Sequence, residues 1–334
     1  MKKHYKVTLK TLSPLFIGSG ETLRKSQYIY IDSDLTANII DERELTKWLI
    51  KNNKLDTFID IVAKDKNASL QRILKDIGFN DLKKITKYSL KVNRLANKDS
   101  RAMNDLVLFV RDGAGDVYIP GSSLKGALRT CLLKTIGDEK SDRARELFSN
   151  ISISDSDTLS NTNLAIYQKI DFSKQASGKI PLYRECIKSG QVASFILTLE
   201  DEYNCIDDIM DSIQSTYSAY HEKWAFPLIT SRNEELKKYH FFDNYDTSEE
   251  SLGKDRCLIY LGGGPGFVSK TLHYKEKERE TAKRDIKEIL TKKFPVYRKL
   301  NSMPGHVPMA LKLAIEDNKL MEIGKCELFF DEIL

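Results

Sequence analysis

Two stretches of this chain pass from a short apolar segment through a glycine turn into a segment that carries lysine. Residues 116–129 read DVYIPGSSLKGALR, and residues 256–271 read RCLIYLGGGPGFVSKT. Each pattern predicts a strand, a turn and a helix, with unpaired helix amides beside a cation. That combination binds anions, most often phosphate. Two such sites in one chain indicate a polyanionic ligand.

The first motif supplies backbone amides, hydroxyl groups and positive charge. Lys125 and Arg129 stand at i and i+4, where like charges repel slightly unless an anion lies nearby. An ordinary capped helix with two solvated cations is the alternative, and the residues alone leave both explanations open. The candidate contacts are Gly121, Ser122, Ser123, Lys125, Gly126 and Arg129.

The second motif is similar to a phosphate-binding P-loop but departs from it. The P-loop requires glycine where Ser269 stands, so nucleotide hydrolysis is disfavoured. A turn that only lets the backbone bend is the alternative. Phe267 is placed to stack on a base. The candidate contacts are Gly262, Gly263, Gly264, Gly266, Phe267 and Lys270.

Composition excludes several classes of protein. The chain has 334 residues, 41% hydrophobic and 30% charged, and contains no apolar run near the roughly 20 residues of a membrane span. The first residues lead into strand-like alternation, so we expect no signal peptide, no membrane partner and a cytoplasmic location. A net charge of +5 permits nucleic-acid binding but does not by itself predict it.

Cysteine and histidine patterns predict neither metal nor cofactor. The five cysteines are far apart and odd in number, which indicates reduced core residues: Cys131, Cys186, Cys205, Cys257 and Cys326. The five histidines are scattered without ligand spacing. We therefore expect no catalytic centre.

Periodicity predicts a mixture of strands and helices. Strands are expected at 5–17, 28–31, 107–110, 151–154, 164–172, 182–187, 192–199, 257–261, 309–315 and 326–330. Residues 18–20 (GSG) are predicted to form a turn, and residues 188–191 a hairpin between two of these strands. Helical spacing predicts two or three helices within 41–88, and helices at 124–136, 206–239 and 274–293. Residues 93–104 are expected to form an exposed loop, and the domain boundary is expected near 188–205.

Four segments resemble a known family. IPGSSLKGALR at 119–129 resembles the signature of the RAMP superfamily of CRISPR-associated RNA-binding proteins. LSPLFIGSG at 12–20 is similar to its first strand and turn, and GGGPGF at 262–267 to its late glycine-rich loop. KID at 169–171, Gly178, LYRE at 182–185 and Gly190 resemble the hairpin region of type III subunits. Residues 41–88 lie outside the resemblance.

The resemblance implies an α+β fold of two RRM-like (ferredoxin-like) RAMP domains with helical insertions. These are residues 1–190, with an insertion at about 41–88, and residues 191–334, with the glycine-rich loop 262–267. Length and motif placement resemble the Csm subunit that caps the 3′ end of crRNA in type III-A complexes. The implied role is a non-catalytic subunit that supports guide maturation and antiviral defence, and Gly18 and Gly20 join the candidate RNA contacts.

The implied partners are crRNA, the neighbouring Csm backbone subunit and other subunits of the effector complex, with maturation nucleases as further candidates. Phosphate contacts would carry no base identity, since guide–target pairing reads the sequence in such systems.

Two other functions stay open. A RAMP endoribonuclease acting on precursor or target RNA would use Asp32, Asp34 or His273, for which turn residues and a solvated helix start are the plainer explanations. A scaffolding subunit would need the glycine turns only for packing. The charge-laced helix at 274–293 could extend an RNA path.

Overall fold

The computed structural model describes residues 2–65, 68–95, 103–136, 142–173, 182–200, 206–230, 233–241, 257–266, 268–270, 279–293 and 310–333. Its strands are β1 (Lys3–Thr11), β2 (Gly18–Leu23), β3 (Tyr28–Ile31), β4 (Thr36–Ile40), β5 (Thr86–Asn93), β6 (Leu106–Phe109), β7 (Ile151–Ile153), β8 (Leu164–Ser173), β9 (Leu182–Ile187), β10 (Val192–Leu199), β11 (Cys257–Tyr260), β12 (Ala310–Glu316), β13 (Lys319–Glu322) and β14 (Lys325–Ile333). Its helices are α1 (Glu42–Lys51), α2 (Leu55–Lys64), α3 (Leu70–Asp76), α4 (Leu82–Ile85), α5 (Gly121–Ile136), α6 (Asp142–Ser149), α7 (Ile206–Tyr220), α8 (Phe226–Thr230), α9 (Asn233–Lys237) and α10 (Arg279–Lys293).

One sheet is antiparallel and runs in the order β11-β14-β1-β10-β7. Alternation along β1 buries Tyr5, Val7 and Leu9 on one face, as a period of two requires. These side chains share a core with Leu124 of α5 and Ile213 of α7. The two helices therefore cover one face of this sheet.

The elements of this sheet follow a recognisable order along the chain: β1, α5, β7, β10, α7 and β11, with β14 inserted between β1 and β11. This is the strand-helix-strand-strand-helix-strand order of a ferredoxin-like unit. Strands from before and after residue 190 share the sheet and its core. The division into residues 1–190 and 191–334 stays a prediction.

The other sheet runs β2-β6-β9-β8-β5-β4-β3, and β12 and β13 extend it beside β8. Helices α1–α4 form a separate small core with β3 and β4, which includes Ile29, Leu49 and Leu70. Helix α1 begins after Asp41, whose carboxylate accepts hydrogen bonds from the amides of Arg43 and Glu44. The helices pack here because their apolar faces are buried against the sheet.

Several predicted elements are confirmed. Strands at 28–31, 182–187 and 192–199 match β3, β9 and β10. The predicted apolar face of the helix after the first motif is buried at Leu124, Leu128, Cys131 and Leu132. Among the described cysteines, Cys131, Cys186, Cys257 and Cys326 are buried free thiols. The described helices are all too short or too polar to span a bilayer.

The predicted turn at residues 18–20 is wrong, because Gly18 and Gly20 belong to β2. Pairing with β6 shifts register between Gly18 and Thr22, and Gly20 has φ +89°. Glycine here marks an irregularity within a strand and not the end of a strand. The local sequence pattern does not distinguish these two uses of glycine.

The predicted hairpin at residues 188–191 is also wrong. Strand β9 pairs with β8 and β6, whereas β10 pairs with β1 and β7 in the other sheet. The connection binds the end of β1: the Gly190 amide donates to the Thr11 carbonyl (2.6 Å), and the Thr11 hydroxyl donates to the Lys188 carbonyl (2.7 Å). Long-range pairing with β1 outweighs the local turn pattern.

The helical prediction for residues 41–88 needs correction, since the segment contains four helices and Thr86 already begins β5. Periodicity does not predict strand β13. The tract predicted at 206–239 is divided into α7, a π-helical turn at His221–Ala225, α8 and α9. The predicted loop at 93–104 lies largely outside the described residues, as do residues 274–278 of the predicted charged helix.

Candidate nucleic-acid interface

The first motif begins α5, but one of the backbone amides that could bind an anion already has a partner within the protein. The Gly121 amide donates to Asp155 Oδ1 at 2.8 Å. A Cβ at Gly121 would lie 2.2 Å from the carbonyl oxygen of Ser154, so only glycine permits this approach. The strand predicted before the turn is wrong, since Val117 forms isolated bridges to Arg111 and Leu159.

Lys125 and Arg129 hold α5 to its surroundings. Lys125 Nζ donates to the Ile151 carbonyl at 2.6 Å. The Arg129 guanidinium lies 5.2 Å from the ring centroid of Phe148, within cation–π range. These contacts favour the structural explanation for both cations, and their role as phosphate ligands stays a prediction.

The second motif forms a tightly packed glycine loop. Gly262 has φ +78°, and a Cβ there would lie 2.1 Å from the Phe16 carbonyl oxygen. The Gly263 amide donates to the same oxygen at 2.6 Å. A Cβ at Gly264 would lie 1.9 Å from Ile323 Cγ2. Packing against Phe16 and Ile323 therefore explains why this loop is rich in glycine.

The helix predicted after the glycine loop is replaced by a single 3-10 turn at Val268–Lys270 within the described residues. The Ser269 hydroxyl donates to the Gly266 carbonyl at 3.2 Å, and Lys270 Nζ donates to the Gly262 carbonyl. Phe267, predicted to stack on a base, lies outside the described residues, as does His273.

Both motifs open into one cleft of about 370 Å³. Its lining includes Gly18, Ser122, Ser123 and Gly126 from the first part of the chain, and Gly262, Gly263 and Lys270 from the second motif. Tyr217 and Tyr260 also line it, with ring centroids 5.9 Å apart and planes 20° apart. Hydroxyls and an ammonium group are the groups that hold a nucleic-acid backbone.

The cleft includes only part of the predicted set. Gly20, Gly121, Lys125, Arg129, Gly264 and Gly266 do not line it. Tyr217 and Tyr260 were missed, because an aromatic residue in a helix or a strand is indistinguishable by pattern from core. Arg184, in a segment of the resemblance, does not line the cleft but contacts its glycine loop: its Nη1 donates to the Gly263 carbonyl at 3.3 Å, and its guanidinium lies 4.7 Å from the Phe16 ring centroid.

The two carboxylates considered for catalysis have structural partners. Asp32 accepts from Arg94 at 2.5 Å and from the Tyr30 hydroxyl at 3.0 Å, and Asp34 accepts from the Ser33 hydroxyl at 2.8 Å. Both carboxylates lie between β3 and β4. In the described part of the chain, no three His, Cys, Asp or Glu side chains come together to hold a metal.

Comparison with known proteins identifies the class of protein that this fold and cleft belong to. The sequence model of the RAMP superfamily matches residues 8–294, which include both glycine motifs. The chain is 38% identical to the "CRISPR system Cms protein Csm5" of Enterococcus italicus, over 100% of this chain and 99% of that protein. It is 27% identical to the protein of the same name from Streptococcus thermophilus, over 80% of each. The chain therefore belongs to the Csm5 family of the RAMP superfamily.

Solved structures share the fold. A chain in the cryo-EM structure of a Csm–crRNA–target RNA ternary complex of a type III-A CRISPR–Cas system has a TM-score of 0.68 at 18% identity, covering 98% of this chain and 100% of that one. The crystal structure of T. onnurineus Csm5 has a TM-score of 0.64 at 18% identity, covering 96% and 99%.

Proposed function

We propose that this chain is an RNA-binding subunit of a cytoplasmic type III-A CRISPR Csm effector complex. It binds the 3′ part of crRNA through the RNA backbone, caps it without cleaving it, and so supports guide maturation and antiviral defence. Its partners are crRNA, the neighbouring Csm backbone subunit and the other subunits of the complex, and maturation nucleases are proposed to dock on the assembled complex. The names of its relatives and the crRNA-containing neighbour support this proposal.

The observation that carries the proposal is the convergence of two distant motifs on one cleft. Ser122 and Gly126 belong to α5, whereas Gly263 and Lys270 come more than a hundred residues later, yet all four line the same space. Such a cleft offers hydroxyl, backbone and ammonium contacts, which suit phosphates and read no base identity. The proposal includes two RRM-like domains, and the element order of the five-stranded sheet supports one of them.

Gly126→Asp tests the cleft directly. Gly126 lines the cleft and is exposed, and no neighbouring atom lies within 4 Å of the position that a Cβ would take, so the substitution adds a negative charge without a clash. We expect affinity for single-stranded RNA to fall by at least about tenfold, or roughly 1.4 kcal/mol, because the carboxylate repels phosphate. Fluorescence anisotropy with repeat-derived RNA measures the affinity, and a gel of the same samples measures RNA integrity.

Gly126→Ala is the matched control. Alanine should retain RNA affinity and stabilise α5 by roughly 0.5–1 kcal/mol, since glycine is unfavourable inside a helix. Equal affinity of the Asp and Ala variants would contradict the placement of RNA in the cleft. Cleaved RNA in the wild-type samples would favour the endoribonuclease, and absence of RNA crosslinks in the assembled complex would favour the scaffold.

A further inference from the structure

A group of cations lies beside the glycine loop, outside the cleft lining except for Lys270. Lys169 on β8, Arg184 on β9 and Lys312 on β12 stand on neighbouring strands. Lys312 is directly opposite Asp171 of β8, and Arg184 is opposite Tyr167. Because directly opposed residues share a sheet face and alternate residues do too, all of these side chains stand on one face. We call Lys169, Arg184, Lys270 and Lys312 the cation cluster.

The cation cluster contacts the glycine loop at three points. Arg184 donates to the Gly263 carbonyl, and Lys270 donates to the Gly262 carbonyl. The stem of Lys312 packs at Gly266, where a Cβ would lie 3.1 Å from Lys312 Cγ. The loop thus contacts the cluster and also lines the cleft through Gly262 and Gly263, and Lys270 lines the cleft as well.

Positive charge in this cluster exceeds its local compensation. Lys169 Nζ and Lys312 Nζ each lie 2.9 Å from the same oxygen of Asp171. Arg184 and Lys270 make no ion pair with the residues that the structure describes. The side chains of Lys169 and Lys312 are 16% and 26% exposed, so water screens them incompletely. Holding cations together in this way is unfavourable unless an anion is bound.

Shifts in pKa agree with this excess of positive charge. Burial lowers the pKa of Lys169, and the charges of Lys312 and Arg184 lower it further. Burial also lowers the pKa of Lys270, with Arg184 adding to the effect. Burial alone would raise the pKa of Asp171, but hydrogen bonds from Lys312 and Lys169 hold it below its ordinary value. One carboxylate is therefore shared by cations that affect one another.

We propose that the cation cluster is a second phosphate-binding site, and that the RNA backbone passes from the cleft across the glycine loop onto β8, β9 and β12. This inference rests on the proposed function and extends its footprint. The guanidinium of Arg184 suits bidentate contact with a phosphate, and the lysines add point charges. The shared contact with the loop favours a continuous strand of phosphates over an isolated ion.

The test is the double variant Arg184→Gln/Lys312→Gln against the matched control Lys47→Gln/Lys84→Gln. The control also removes two cations, each paired with one carboxylate, on the helices of the separate small core. For single-stranded RNA, losing two phosphate contacts should reduce the slope of log K against log[salt] by about 1.4. Affinity at low salt should fall at least about tenfold for the test variant and hardly at all for the control.

Additional variants and measurements test whether RNA contacts the cation cluster. RNAs of increasing length should show a growing difference between wild type and test variant, since a short RNA fills the cleft alone. Arg184→Lys keeps the positive charge but replaces the guanidinium with a simpler side chain, so we expect a smaller loss of RNA affinity than with Arg184→Gln. Circular dichroism melting checks that each variant folds. Inorganic phosphate at constant ionic strength should compete with RNA in the wild type more than in the test variant.

The outcomes separate the two proposals. An unchanged salt slope in the folded test variant, with affinity still lost in Gly126→Asp, overturns the cation cluster and leaves the cleft intact. If the test variant abolishes competition by phosphate but binds RNA with unchanged affinity, the cluster is a site for free phosphate. That result also overturns the proposal. Wild-type protein that binds no RNA overturns the proposed function as well.

Discussion

Gly262→Ala is expected to destabilise the protein by about 3 kcal/mol or more. The residue has φ +78°, and an L-residue in that region costs roughly 1–2 kcal/mol. The new Cβ would also lie 2.1 Å from the Phe16 carbonyl oxygen. That oxygen accepts the Gly263 amide at 2.6 Å, so it cannot move without losing a hydrogen bond, and overpacking adds roughly 1–3 kcal/mol. Urea unfolding followed by circular dichroism measures the loss.

Gly78→Ala provides the control for backbone conformation. Gly78 has φ +80°, but nothing lies within 4 Å of the position where a Cβ would stand. We expect only the conformational cost of roughly 1–2 kcal/mol. Equal destabilisation by the two variants would show that the close approach of the glycine loop to Phe16 contributes nothing. Because Gly262 also lines the cleft, only its variant should weaken RNA binding.

Glu185→Ala should lower the free energy of unfolding by about 3–5 kcal/mol, the usual loss when one member of a buried ion pair is removed. Glu185 is fully buried and accepts from Arg111 Nη2 at 2.8 Å, from the Tyr88 hydroxyl at 2.9 Å and from the Phe109 amide at 2.9 Å. Arg111 would keep its charge with only 15% of its side chain exposed. Thermal and urea unfolding measure the effect.

Two companion variants test the explanation. Glu185→Ala combined with Arg111→Met should cost less than the sum of the single changes, because removing both charges avoids a buried unpaired cation. Asp81→Asn removes the partner of Lys84 in an exposed pair at 2.8 Å and should leave stability nearly unchanged. If Glu185→Ala were as mild as Asp81→Asn, the buried network would not stabilise the fold.

Sequence patterns located most elements because each pattern reflects a local requirement. Alternation identified β3, β9 and β10, and spacing identified the buried face of α5 at Leu124 and Leu128. Errors occurred where glycine or a short connection has several local uses. Gly18 lies in a strand and not in a turn. Residues 188–191 connect strands of two different sheets and do not form a hairpin.

The sequence predicted individual residues of the candidate site but not which of them come together in the cleft. Both glycine motifs were recognised as anion-binding candidates, and Ser122, Gly126 and Lys270 do line the cleft. Lys125 was a candidate of equal standing, yet its ammonium group reaches the Ile151 carbonyl. A long flexible side chain has many possible partners, and only the neighbouring elements select one. Lys312, in an alternating strand, carried no signal of its own.

By itself, the sequence determined the family and the mixed α and β class, since motif residues and period are local properties of the chain. Only the tertiary structure decided that Ser122, Gly126, Gly263 and Lys270 line one cleft, and that cations from β8, β9 and β12 meet beside the glycine loop. The physical reason is that strand pairing over long separations depends on which surfaces bury the most apolar area together, and no local segment contains that information.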